Sequence, residues 1–153
     1  MQYRLAQRSD FRQLARLYWA CSTEENDLPE QGEEAFSGRW NAFLEDHIGT
    51  DYVCWVAEEA GEIVSHVYIG ILEKMPVPRE QPAWIGYVAN VFTLPSFRNR
   101  GIAAELMDTA QDWARTHAFE ALFVLPGVKS VSFFERQAFT EDNKLMEYAF
   151  RKN

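Results

Sequence analysis

Apolar residues recur along this chain with two periods. Behind Ser9, a residue suited to an N-cap, Phe11, Leu14, Ala15 and Tyr18 fall at helical spacing and predict an amphipathic helix over 10–21. Phe36, Trp40, Phe43 and Leu44 repeat that spacing and predict a second helix over about 33–47. The character then changes: β-rich runs at 52–58 and 62–72 flank the turn residues Glu59-Ala60-Gly61 and predict a hairpin. Residues 74–82 hold three prolines and read as a loop. Trp84, Ile85, Tyr87, Val88, Val91 and Phe92 predict a long strand over 84–94, closed by Pro95, which lacks a backbone donor. Ile102, Leu106, Ala110 and Trp113 then line one side of a helix over 101–117, with Glu105, Asp108 and Asp112 mostly outward. Residues 121–125 form a short apolar strand stopped by Pro126-Gly127, and 130–137 a short helix. A short strand at 2–6 opens the chain, and one or two strands over 138–150 close it.

Strand 84–94, helix 101–117 and strand 121–125 make a β-α-β unit, for which a right-handed parallel crossover is expected. The fold class is therefore mixed α/β, a central mixed sheet with helices on both faces, in one domain over 1–153.

Composition narrows the function. At 153 residues, 47% apolar and 25% charged, the chain has ordinary globular composition. A net charge of −8 repels polyphosphate and argues against nucleic acid. The apolar runs are too short for a membrane span, and the opening residues lack the apolar core of a leader peptide, so a cytoplasmic location is expected. Cys21 and Cys54 are too far apart for a C-x-x-C pair, and Cys54 reads as a buried thiol. His47, His66 and His117 have no ligand spacing, so no metal is assigned.

The chemistry concentrates where the long strand meets its helix, in Arg98-Asn99-Arg100-Gly101-Ile102-Ala103. A helix N-terminus presents unpaired N–H groups and a positive dipole end, where phosphate binds readily. Gly101 lets backbone approach an anion, Ala103 is small, and Arg98 and Arg100 add charge-assisted bonds. This reads as a diphosphate site within an acidic protein.

Residues 88–103 resemble the acetyl-CoA motif of the GNAT superfamily of N-acetyltransferases, Q/R-x-x-G-x-G/A, matched at Arg98, Gly101 and Ala103. Phe133-Phe134-Glu135-Arg136-Gln137-Ala138-Phe139 resembles the later L-Y-E-K-x-G-F signature, and the element order agrees along essentially the full chain. The resemblance implies acetyl-CoA as cosubstrate, with its arm against the exposed backbone of Val91, Phe92 and Thr93, its diphosphate on the N–H groups of residues 99–103, and Phe134 beside it. It implies direct attack on the thioester by a primary amine, an oxyanion held by an N–H near Val91 or Phe92, and allows a homodimer. Two positions depart from the family. Phe134 stands where many members carry a proton-donating tyrosine, and Ala89 where many carry a base. Tyr87, on the face of Ala89 by alternation, is either a proton relay or a core tyrosine. Ordered water, or a carboxylate from residues 24–34, could accept the proton. That acidic stretch is either a solvated face or a wall attracting a cationic amine. Ser130 and Ser132 either start a helix or touch the cofactor, and Trp19, Trp40 and Trp84 either pack the core or shape an acceptor pocket. A non-catalytic acyl-CoA-binding module is the rival function, and an interaction domain with a merely structural 98–103 turn the third.

Overall fold

In the computed structural model, residues 1–25, 30–141 and 145–150 are described. The elements are β1 (Gln2–Leu5), α1 (Phe11–Glu25), α2 (Glu33–His47), β2 (Tyr52–Glu59), β3 (Glu62–Glu73), β4 (Trp84–Thr93), α3 (Ile102–Thr116), β5 (Phe119–Val124) and α4 (Val131–Arg136). Among the described residues they build one five-stranded sheet in the order β1-β2-β3-β4-β5. The first three pairings are antiparallel, and β4 with β5 is parallel across α3. The β2–β3 turn has Ala60 and Gly61 both at positive φ, the arrangement whose twist matches a two-residue hairpin.

Each face of the sheet carries its own apolar layer. On one, Ile102, Leu106, Met107 and Ala110 of α3 pack with Val67, Ile69 and Val88. The stripe predicted for this helix is the stripe it buries, at roughly 1.5–3 kcal/mol for each large side chain. On the other face, Phe11, Leu14, Leu17 and Cys21 of α1 and Leu44 of α2 cover Cys54, Val56, Tyr68 and Phe92. Helices on both faces are what the alternating pattern required. Burial pushes the Cys54 thiol pKa up, in keeping with an inert buried thiol.

Three expectations are corrected. Ser9 is not the N-cap of the first helix. A 3-10 turn at Arg8–Asp10 precedes it, and Asp10 takes the Gln7 N–H at 2.7 Å while Arg4 binds its carboxylate at 2.7 and 2.9 Å. An ion-paired carboxylate at this entry displaces a neutral hydroxyl. The first helix runs on to Glu25, past the predicted end at 21. No strand forms within 138–141 or 145–150, and 142–144 lie outside the described residues, as does Asp27 of the acidic stretch. A strand needs a partner, and here the outer edge of β5 receives none among the described residues.

Candidate active site

The site is built where β4 outruns β5. Their parallel pairing ends at Val88↔Val124, whereas β4 continues to Thr93. Beyond Val88 the β5 side of β4 is open. Which backbone groups face the opening follows from the other ladder. Leu94 N–H donates to Val64 O at 2.9 Å, and antiparallel strands point alternate residues the same way. Phe92 and Asn90 therefore turn their N–H and C=O groups to β3, and Val91 and Thr93 turn theirs to the split. The expected exposed backbone of Val91, Phe92 and Thr93 thus narrows to Val91 and Thr93. The Thr93 carbonyl already accepts Arg98 Nε at 3.0 Å. The Phe92 side chain is buried among the residues under α1.

Strand β4 leads into a 3-10 turn at Pro95–Phe97 and then into α3. Arg98 N–H bonds to Pro95 O, and the next backbone donation is from Glu105 to Gly101 O at 3.0 Å. The amides of residues 99–104 between them make no well-formed backbone hydrogen bond among the described residues, that of Arg100 closing only a loose turn. Asn99 and Gly101 both hold positive φ, at 61° and 76°. Gly101 is required here by its left-handed backbone, and a Cβ on it would stand in open space. Open space above these amides at the start of a 15-residue helix suits an anion.

The two arginines differ. Arg98 folds back, donating to both Glu24 carboxylate oxygens at 2.8 and 2.7 Å and lying over the Phe92 ring. The pair lowers the Glu24 pKa and raises that of Arg98. These bonds and that to Thr93 O engage three of the five guanidinium N–H groups of Arg98 and compete with its expected role as a phosphate ligand. Arg100 is exposed, resting over Phe97 with no ion pair among the described residues, and can meet a phosphate. Glu24 is likewise withdrawn from the carboxylates that could serve as base. Ile102, the first residue of α3, is buried in the core, so only its backbone can serve a ligand, and Ala103 is half-buried in the first turn.

Tyr87 is half-buried and stacks on Phe123 with ring centroids 5.0 Å apart, on the last stretch where β4 and β5 remain paired. Phe134 is a core residue, edge-on to Phe133 and Phe139. It lines a cavity of about 740 Å³ along the outer edge of β5, which none of residues 91–103 touches. Ser130 bonds to Gly127 O and opens α4. Trp40 stacks on Tyr18 at 4.0 Å between α1 and α2, where packing rather than an open pocket surrounds it. No group of residues that could hold a metal occurs among the described residues, and no described helix is long and apolar enough to cross a membrane.

The sequence reading missed Asn90. In β3–β4 pairing, Tyr68 faces Asn90 but Ile69 faces Val88, so Ala89 is an extra residue, a β-bulge. It turns Ala89 and Asn90 to the same face, under α1. Asn90 Oδ1 then sits 2.6 Å from His66 Nε2, and Cys21 lies beside the amide. Strict alternation hides such a bulge, and only its aftermath, the polar Asn90 within an apolar run, marks it.

A mixed sheet split at one strand end, with amides opening the next helix, is a geometry suited to an anionic ligand, and comparison with known proteins gives the fold its family. The family model for the acetyltransferase (GNAT) family matches residues 11–139, and the chain belongs to that family. Among solved structures, a predicted acetyltransferase with acetyl-CoA from Clostridium acetobutylicum superposes with a TM-score of 0.74 at 20% identity, covering 97% of this chain and 95% of that one. A ribosomal-protein-alanine N-acetyltransferase from Brucella melitensis biovar Abortus 2308 gives 0.75 at 18%, covering 99% and 100%. Glucosamine-6-phosphate N-acetyltransferase from Arabidopsis thaliana gives 0.69 at 18%, covering 98% of each chain. No curated protein matches by sequence. At these identities the structures establish the shared fold.

Proposed function

We propose that the protein transfers an acetyl group from acetyl-CoA to a primary amine of a small molecule or peptide, by direct attack in a ternary complex. The observation that carries this reading is the run of amides at residues 99–104 without a well-formed backbone hydrogen bond, next to the opening beyond Val88. The amides of residues 99–104 take the diphosphate, with Arg100 adding charge. Val91 N–H and C=O and Thr93 N–H pair with the pantetheine arm, and Val91 N–H doubles as donor to the thioester oxygen as it gains charge. Proximity and alignment carry most of the rate.

Proton handling follows from the residues present. Phe134 cannot protonate the departing thiolate, which with an unperturbed pKa of about 8.5 leaves unaided. Ala89 cannot accept the amine proton. The Tyr87 hydroxyl, through ordered water, is the relay next to the split. The exposed carboxylates Glu30, Glu33 and Glu34, at and just before the start of α2, favour a cationic acceptor.

The test is thiol release from acetyl-CoA across a panel of polyamines, amino sugars, and peptides with free α- or ε-amines. Acceleration by one class supports the reading. Tight coenzyme binding with no acceleration by any class would shift the assignment to the non-catalytic acyl-CoA-binding reading, which Ala89 and Phe134 favour.

A further inference from the structure

Asn90 is where three elements meet. Its Oδ1 lies 2.6 Å from Nε2 of His66 on β3, and its Nδ2 lies 3.6 Å from Sγ of Cys21 on α1. His66 has no solvent exposure, Cys21 is 2% exposed, and rings of Tyr18, Tyr68 and Phe92 surround the imidazole. His66 Nδ1 is buried without a partner. A proton there would be a buried donor with no acceptor, so the network assigns the imidazole proton to Nε2, donating to Asn90 Oδ1. The amide is then oriented by the imidazole, and Cys21 Sγ lies beside both of its ends, 3.6 Å from Nδ2 and 3.8 Å from Oδ1.

An apolar trio could fill this space without the unpaired nitrogen, whose burial is unfavourable. What the polar arrangement secures is visible in the register. With the bulge at Ala89, Phe92 falls opposite His66 and directs its N–H to β3, leaving that of Val91 on the open edge. Without the extra residue, Val91 would fall opposite His66. Its N–H would close onto β3, and Asn90 would turn away from the imidazole. The His66–Asn90 bond exists only in the register that frees the Val91 amide.

We infer that His66, acting through Asn90 and backed by Cys21, is a positioning residue that locks the β4 bulge and so aims the Val91 N–H into the acyl site. The inference rests on the proposed acetyl transfer for its catalytic meaning, but the register it describes is measurable without any turnover.

The experiment is residue-resolved NMR on the intact protein, on His66→Leu and on His66→Gln, whose side-chain N–H can replace the lost donor. Expected in the natural protein are an imidazole protonated on Nε2, fast hydrogen exchange at the Val91 amide and slow exchange at Phe92. His66→Leu is expected to reduce that contrast and His66→Gln to restore it. With a responsive amine, kcat falls about tenfold or more in His66→Leu while coenzyme affinity stays within about twofold. A proton on Nδ1 in the natural protein overturns the inference. So does a folded His66→Leu with unchanged exchange at Val91 and Phe92. If His66→Leu does not fold, the tautomer in the natural protein and the exchange pattern in His66→Gln decide. Absence of any acyl transfer bears on the proposed function alone, because the tautomer and exchange results stand without it.

Discussion

Arg98 and Glu24, separated by 74 residues, meet in a two-pronged ion pair that ties the end of α1 to the turn before α3. With side chains 38% and 46% exposed, the pair contributes at most about 1 kcal/mol to stability. Its consequence is a division of labour between neighbouring arginines. Arg100→Ala removes the exposed charge proposed to meet phosphate, so coenzyme affinity is expected to fall and its dependence on salt to become shallower. Arg98→Ala loosens the turn, so affinity falls with the salt dependence little changed. Calorimetric titrations with coenzyme A at several salt concentrations check both; equal slopes for the two variants would contradict the division.

Gly101 and Ala103 separate conformation from space in the cradle. Gly101→Ala meets no neighbour but must hold a φ of 76°, so it is expected to destabilise by about 1 kcal/mol. Ala103→Glu sits on ordinary helical backbone and should fold normally while placing a carboxylate at the proposed diphosphate site. Thermal unfolding paired with coenzyme titration measures this contrast: stability lost in the first, binding lost in the second.

His66 sets the acid limit of stability. Burial lowers its pKa from 6.5 to about 4, so the imidazole is neutral in the folded protein at neutral pH. The unfolded chain takes up the proton first as pH falls. Stability therefore declines from about pH 6.5 and levels off near pH 4, a loss of about 3 kcal/mol from this residue. Asp10, whose pKa the Arg4 hydrogen bonds lower, adds a loss in the same direction at still lower pH. Urea unfolding between pH 4 and 8 should show the slope, and His66→Gln should flatten its upper part.

Ala138 occupies the glycine position of the later family signature and adopts a φ of 63°. Phe139 N–H bonds to Phe134 O and Ala138 N–H to Glu135 O, both at 3.0 Å, which closes α4 with a left-handed cap. An alanine there carries steric strain that glycine lacks. Ala138→Gly is expected to stabilise the protein by roughly 0.5–1 kcal/mol, measured as a rise in the unfolding midpoint.

The fold and the turn into α3 were legible because both are written in local pattern. The stripe of α3 shows as period 3.6, and the left-handed turn shows as Gly101 just before it. What was hidden depends on distant partners. The Glu24–Arg98 pair joins opposite halves of the chain and alters the role of an arginine that spacing alone would place on phosphate. The bulge at Ala89 breaks alternation without a glycine or proline to mark it, so Asn90 was read past and Phe92 credited with an open backbone. Residues 145–150 have strand character, yet no strand forms there among the described residues, and composition carries no information about whether an edge will be joined.

The central claim is that free backbone amides at residues 99–104 hold the diphosphate of the coenzyme. Titrating isotope-labelled protein with coenzyme A and following its amide resonances tests it directly. The account predicts that the largest saturable shifts fall on residues 99–104, with Val91 and Thr93 following. Saturation with those amides unmoved, or binding confined to the cavity along β5, would contradict it.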